Sequence, residues 1–140
     1  MPAMPHVLIV DDNEGDRYIL SRLLAKTGEY SSVAEVIDGQ EALEYMDPQG
    51  SSKTAPDLIF LDVNMPRVDG FEFLERFELQ RSRPGAPDTG VILLVSPHDP
   101  RGHRERALQF SSVVGFVTKM PTNSADLLRQ IGLGLSADPS

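Results

Sequence analysis

The chain has 140 residues, 40% of them apolar, which is enough for one domain with a single core and no need of disulfides or structural metal. It has no cysteine and only three scattered histidines, which excludes a disulfide framework, a thiolate nucleophile and a zinc–cysteine site. With 13 basic against 21 acidic residues the formal net charge is −8, which disfavours the phosphate contacts that nucleic-acid binding relies on.

The first apolar run, Val7-Leu8-Ile9-Val10, is β-branched at three of its positions and ends at Asp11, as a strand buried on both faces does. The opening MPAMPHVLIV has no basic stretch, and its apolar run is too short for a signal segment or membrane span, so the expected compartment is the cytosol, without an anchor. The period then changes: Asn13 can cap a helix with Ile19, Leu20, Leu23 and Leu24 on one side, ended by Gly28. Val33 to Ile37 is a second strand, and Glu35 in its middle suits a sheet edge. Asp38 and Glu41 have capping-box spacing and open a short helix bearing Ala42, Leu43 and Met46.

Asp47 to Pro56, rich in Gly, Ser and Pro, is a loop before the strand Leu58 to Leu61, which ends at Asp62. Asp69-Gly70 starts a helix with Phe71, Leu74 and Phe77 inward, and Arg81 to Thr89 is a further loop. Val91 to Val95 is the longest wholly apolar strand and ends at Ser96. A short polar helix follows Pro100, then the strand Val113 to Val117, then a helix from about Ser124 with Leu127, Leu128, Ile131 and Leu135 inward. Five strands alternating with five helices call for an α/β fold, a flavodoxin-like doubly wound parallel sheet. The strand order 2-1-3-4-5 is an analogy with other sheets of this type.

In such a sheet, ligands bind beyond the carboxyl ends of the strands. There the first strand delivers Asp11 and Asp12, the third Asp62, the fourth Ser96 and the fifth Lys119. At about 4 Å and an effective dielectric of about 20, two carboxylates repel by about 4 kcal/mol, so three of them require a compensating charge. Hard oxygen ligands with room for water suit Mg²⁺. With a metal and Lys119 present, an aspartate can act as nucleophile toward phosphorus, and Ser96 can donate to a phosphoryl oxygen. Taken singly, each residue also fits a plain structural role: a strand-end Asp as turn or cap, Ser96 before Pro97 as a turn, Lys119 as a solvated cation.

These same residues carry a resemblance to the response-regulator receiver family. VLIVDDNE resembles its first strand and acidic pair, LIFLDVNMPRVDGFEFL its phosphoacceptor strand and following loop, LLVS its hydroxyl position, and GFVTK its lysine strand. The most specific element is D-x-x-M-P-x-x-D-G, and the similarity spans roughly His6 to Leu135, leaving residues 1–5 and 136–140 as short tails. The resemblance implies that Asp62 is the phosphoacceptor, that Asp12, Asp62 and the main-chain carbonyl of Asn64 bind Mg²⁺, and that Asp11 supports the ion through water. It further implies that Ser96 and Lys119 contact the phosphoryl group, that Phe116 is the aromatic switch, and that Asn64 and His98 tune how fast the phosphoryl group is lost. Two features depart from the family pattern. Proline follows the lysine one residue late, in Lys119-Met120-Pro121, where any cis bond is expected between Met120 and Pro121, and Pro97 replaces the usual small residue after Ser96.

A haloacid-dehalogenase-type phosphatase is the enzyme alternative, but it needs a second acid where Asn64 stands. A receiver-fold binding module without phosphorylation is the other. After Leu135 only SADPS follows, so the expected action is through protein contacts: a sensor histidine kinase or histidine phosphotransfer protein upstream, a protein target downstream, and a monomer or weak homodimer. Arg101, His103, Arg104 and Arg106 make the fourth helix basic, as either a docking face or a solvated one.

Overall fold

The computed structural model of the chain describes residues 6–28, 30, 32–46, 55–63, 65, 68–82, 89–95, 102–119 and 123–135. Its elements are β1 (His6–Val10), α1 (Glu14–Thr27), β2 (Ser32–Val36), α2 (Gly39–Met46), β3 (Leu58–Asp62), α3 (Gly70–Arg81), β4 (Gly90–Val95), α4 (His103–Ala107), β5 (Val113–Thr118) and α5 (Ser124–Leu135). All strand pairs are parallel and the order is β2-β1-β3-β4-β5, so the doubly wound sheet expected from the alternation of strands and helices is what forms.

Alternate side chains of the central strands serve opposite faces. Leu8, Val10, Ile59, Leu61, Leu93 and Val95 join Ala42, Phe71, Phe73, Leu74 and Phe77 under α2 and α3. Val7, Ile9, Phe60, Ile92 and Leu94 join Leu20, Leu24, Leu127 and Ile131 under α1 and α5. Each such side chain removed from water contributes about 1.5–3 kcal/mol, and this paired burial fixes where each strand ends. Phe73, which the helical spacing of Phe71, Leu74 and Phe77 passes over, is fully buried and stacks on Phe77 with ring centroids 5.4 Å apart.

The helix ends follow the cap signals. The Asn13 side chain accepts from the Asp16 N–H at 2.9 Å, and Gly28 takes the left-handed conformation at φ 68. The Asp38 side chain accepts from the Glu41 N–H at 2.9 Å, while Glu41 reaches back to the Ile37 N–H at 3.0 Å. That second bond takes Ile37 out of the ladder, so β2 ends at Val36 and not at Ile37. Helix α3 includes Arg81, one residue into the expected loop.

Glu78 of α3 accepts from the Ser112 N–H at 2.7 Å and from the Ser111 hydroxyl at 3.3 Å, tying α3 to the start of β5. Burial alone would raise its pKa. The hydrogen bonds from Ser112 and Ser111, with Arg81 nearby, outweigh that and hold it below the usual 4.5. A carboxylate with a depressed folded-state pKa adds stability above its unfolded pKa and loses it as pH falls through the folded value. Glu78→Gln is therefore expected to cost about 1 kcal/mol near pH 7, as for one hydrogen-bonded group, and less near pH 4. Urea unfolding of both forms at the two pH values checks this; a deficit that does not shrink in acid would show that the charge of Glu78 is not the cause.

Candidate functional site

Parallel strands place all their carboxyl ends at one rim, and the acidic residues gather there. Asp11 and Asp12 follow β1, Asp62 ends β3, and Lys119 follows β5, whose backbone N–H donates to the Val95 carbonyl at 2.8 Å. Asp11 and Asp62 are buried, at 1% and 4% exposure, whereas Asp12 is exposed. The Asp11 backbone is pinned on two sides: its N–H donates to the Val36 carbonyl at 3.2 Å, and its carbonyl accepts from Arg17 at 2.7 Å. Arg17 also pairs with Glu35 of β2 at 3.2 Å, so α1 locks the edge strand to the acidic rim.

The Lys119 ammonium lies 3.3 Å from Asp11, 3.2 Å from Asp62 and 3.2 Å from Asp16. Burial would lower the lysine pKa. The charges of Asp62 and Asp11, with hydrogen bonds to Asp62 and Asp16, more than reverse this and raise it above the ordinary lysine range. Lys119 is thus a fixed cation that offsets charge and cannot serve as a base near neutral pH. Three carboxylates thus share this one ammonium. Oxygens of Asp11, Asp12 and Asp62 all lie within 4.8 Å of one another, and exposed Asp12 leaves room for water, which is the donor set of a hard divalent cation. Asp12, Asn13, Asp16, Asp62, Val63, Leu94, His103 and Lys119 line a cavity of about 220 Å³. At about 30 Å³ per water, that is room for several water-sized groups.

Of the residues picked out in sequence, Asp11, Asp12, Asp62 and Lys119 come together. Phe116 is partly buried against the α2–α3 core and borders a groove of about 750 Å³ with Arg104, Leu108 and Arg129, between α4 and α5. Asn64, Ser96, His98, Arg101 and the Met120-Pro121 bond lie outside the described residues. Asp16 and His103 were not picked out as site residues, yet both line the cavity. Asp16 had a signal: with Asn13 as cap it stands in the first turn of a helix that begins at the acidic pair, and its side chain points back over the rim. His103 had none, since α4 is short and its position depends on packing, its ring meeting Phe71 edge-on at 5.6 Å.

Two glycines frame the span after Asp62. The Gly70 N–H donates to the Val63 carbonyl at 2.9 Å, and a Cβ on Gly70 would stand 2.7 Å from both the Asp62 carbonyl oxygen and the Val63 Cα. The Gly39 N–H donates to the Val68 carbonyl at 3.1 Å, and a Cβ there would meet that oxygen at 2.5 Å. These are backbone neighbours that cannot swing aside. Gly70→Ala is expected to cost about 2 kcal/mol, in the range for overpacking, and to displace Asp62. Thermal unfolding and the response of Asp62 to Mg²⁺ by NMR check it; wild-type behaviour in both would mean that the rim yields freely.

The model of the response regulator receiver domain matches residues 7–131. Histidine kinase CKI1 of Arabidopsis thaliana is 32% identical over 133 residues, covering 89% of this chain and 12% of that protein. Transcriptional regulatory protein DegU of Brevibacillus brevis is 34% identical over 113 residues, covering 81% of this chain and 43% of that protein. The chain thus spans about half or less of the length of the curated relatives it matches. Among solved structures, the receiver domain of CKI1 complexed with Mg²⁺ superposes with a TM-score of 0.71 at 31% identity, covering 91% of each chain. The signal receiver domain of a histidine kinase from Syntrophus aciditrophicus gives 0.68 at 31% identity, covering 96% of this chain and 92% of that one. The match runs from the first strand into the last helix and takes in the acidic rim, and on it the chain belongs to the response regulator receiver family of two-component signalling.

Proposed function

We propose that residues 6–135 form a receiver that accepts a phosphoryl group on Asp62 from a sensor histidine kinase or a histidine phosphotransfer protein. The observation that carries this reading is the Lys119 ammonium, 3.2 Å from Asp62 and 3.3 Å from Asp11, two of three mutually close carboxylates. Asp12, Asp62 and the main-chain carbonyl of Asn64 would hold Mg²⁺, with Asp11 reaching it through water. When bound, Mg²⁺ supplies positive charge against the crowded carboxylates and the phosphoryl oxygens.

A carboxylate oxygen of Asp62 attacks phosphorus, the bond from phosphorus to the donor's imidazole nitrogen breaks, and an acyl phosphate forms. Phosphoryl transfer asks the protein chiefly to position and neutralise, and Lys119 does this from a fixed place while Ser96 donates a hydrogen bond to a phosphoryl oxygen. Asn64 and His98 set how readily water reaches phosphorus. Phe116 is the switch residue, and its border on the groove between α4 and α5 makes that face the place where a protein target reads the state. The groove carries mixed charge, with Arg104, Arg129 and Asp126 in its lining and Arg129 paired with Asp126 at 2.6 Å.

On this reading residues 6–135 catalyse only their own phosphorylation and dephosphorylation, work in the cytoplasm as a monomer or weak homodimer, and signal through contacts with a protein target. Among the described residues no helix is long and apolar enough to cross a membrane. Incubation with acetyl phosphate followed by intact-mass measurement tests the central claim. One phosphoryl group per chain is expected with Mg²⁺ present and none with it chelated; no uptake under either condition would leave a receiver fold that works by binding alone.

A further inference from the structure

Asp16 is the carboxylate at the rim that the acceptor chemistry leaves without a role. Its backbone is fixed by the Asn13 cap at 2.9 Å, and its side chain is 3.2 Å from the Lys119 ammonium. It lines the same cavity as Asp62, yet it stands apart from the three acids whose oxygens cluster within 4.8 Å. Lys119 has three N–H donors, and Asp11, Asp16 and Asp62 all stand within 3.3 Å of its nitrogen. A phosphoryl oxygen that is to reach this ammonium must therefore replace one of the three.

On the reading that Asp62 takes the phosphoryl group, we propose that Asp16 is a positioning residue for Lys119, sharing the ammonium with Asp11 and Asp62 and competing for it with the incoming phosphoryl group. Two effects of opposite sign follow. By sharing the ammonium, Asp16 leaves Asp11 and Asp62 with more of their negative charge and strengthens Mg²⁺ binding. By competing for the ammonium, and by adding one more negative charge beside the cavity, it slows the arrival of an anionic phosphoryl donor. The carboxylate thus trades speed of phosphorylation for affinity toward the cation. A residue needed only for folding would change both quantities in the unfavourable direction.

The test uses the full chain with Asp16→Asn and Asp16→Glu, and two readouts. Mg²⁺ affinity is measured by titration calorimetry, and the phosphorylation rate from acetyl phosphate is measured at saturating Mg²⁺. Asp16→Asn is expected to weaken Mg²⁺ binding about three-fold and to speed phosphorylation about three-fold, the size suited to one partly exposed ion pair. Asp16→Glu, which restores the charge, returns both toward wild type. With a wild type that takes up phosphate, failure of either change in Asp16→Asn overturns the proposal, as does a glutamate variant that behaves like asparagine. A wild type that takes up no phosphate overturns the reading of Asp62 instead. The calorimetric arm then decides for Asp16, unchanged Mg²⁺ affinity counting against it and weakened affinity for it.

Discussion

Asp62→Asn is expected to take up no phosphoryl group from acetyl phosphate or from a histidine kinase at any Mg²⁺ concentration. The amide has nearly the shape of the carboxylate but is a very poor nucleophile toward phosphorus, so the chemistry is removed while the rim keeps its form. Lys119 retains Asp11 at 3.3 Å and Asp16 at 3.2 Å, which keeps the ammonium paired and the fold intact. Circular dichroism should match wild type while intact-mass labelling falls to background. A variant that is labelled at wild-type yield would place the acceptor on another residue.

The second large effect concerns stability. Lys119→Met leaves Asp11 and Asp62, both almost fully buried, without their cation, and removing one partner of a buried ion pair costs on the order of 3 kcal/mol. Most of that loss should disappear in Mg²⁺, because an ion that binds only the folded chain stabilises it by about 2.7 kcal/mol at one hundred times its dissociation constant. Without Lys119 the acids attract the ion more strongly, so the variant should gain more from Mg²⁺ than wild type does. Urea unfolding of both proteins with and without Mg²⁺ checks this. An equal gain in the two would mean that repulsion among the acids is not what destabilises the variant.

Most of the fold is legible in the apolar runs, because a strand covered on both faces must be apolar throughout, and Val7 to Val10 and Val91 to Val95 are. Asp11, Asp12, Asp62 and Lys119 are legible as a set for the same reason: each stands where such a run stops. What a linear reading misses depends on contacts far apart in sequence. The Glu78 to Ser112 bond spans 34 residues and leaves no local mark. Phe73 lies off the stripe of Phe71, Leu74 and Phe77, and only the depth of the sheet's cover buries it. Asp16, in the first turn of α1, has the look of an ordinary acid beside a helix dipole until the fold brings Lys119 to it from 103 residues away.

Near both ends of the span between Asp62 and α3 the main chain makes a hydrogen bond to a glycine, Gly70 to Val63 and Gly39 to Val68, while the side chains of Val63, Met65 and Val68 are buried in the core. The frame is therefore set by two backbone contacts that admit no side chain and by three apolar side chains that the core encloses, and neither glycine can change without moving it. In evolutionary terms the frame and the rim are coupled. Descendants of this chain can replace neither glycine, nor any of these three apolar side chains, without re-solving the packing beside Asp62.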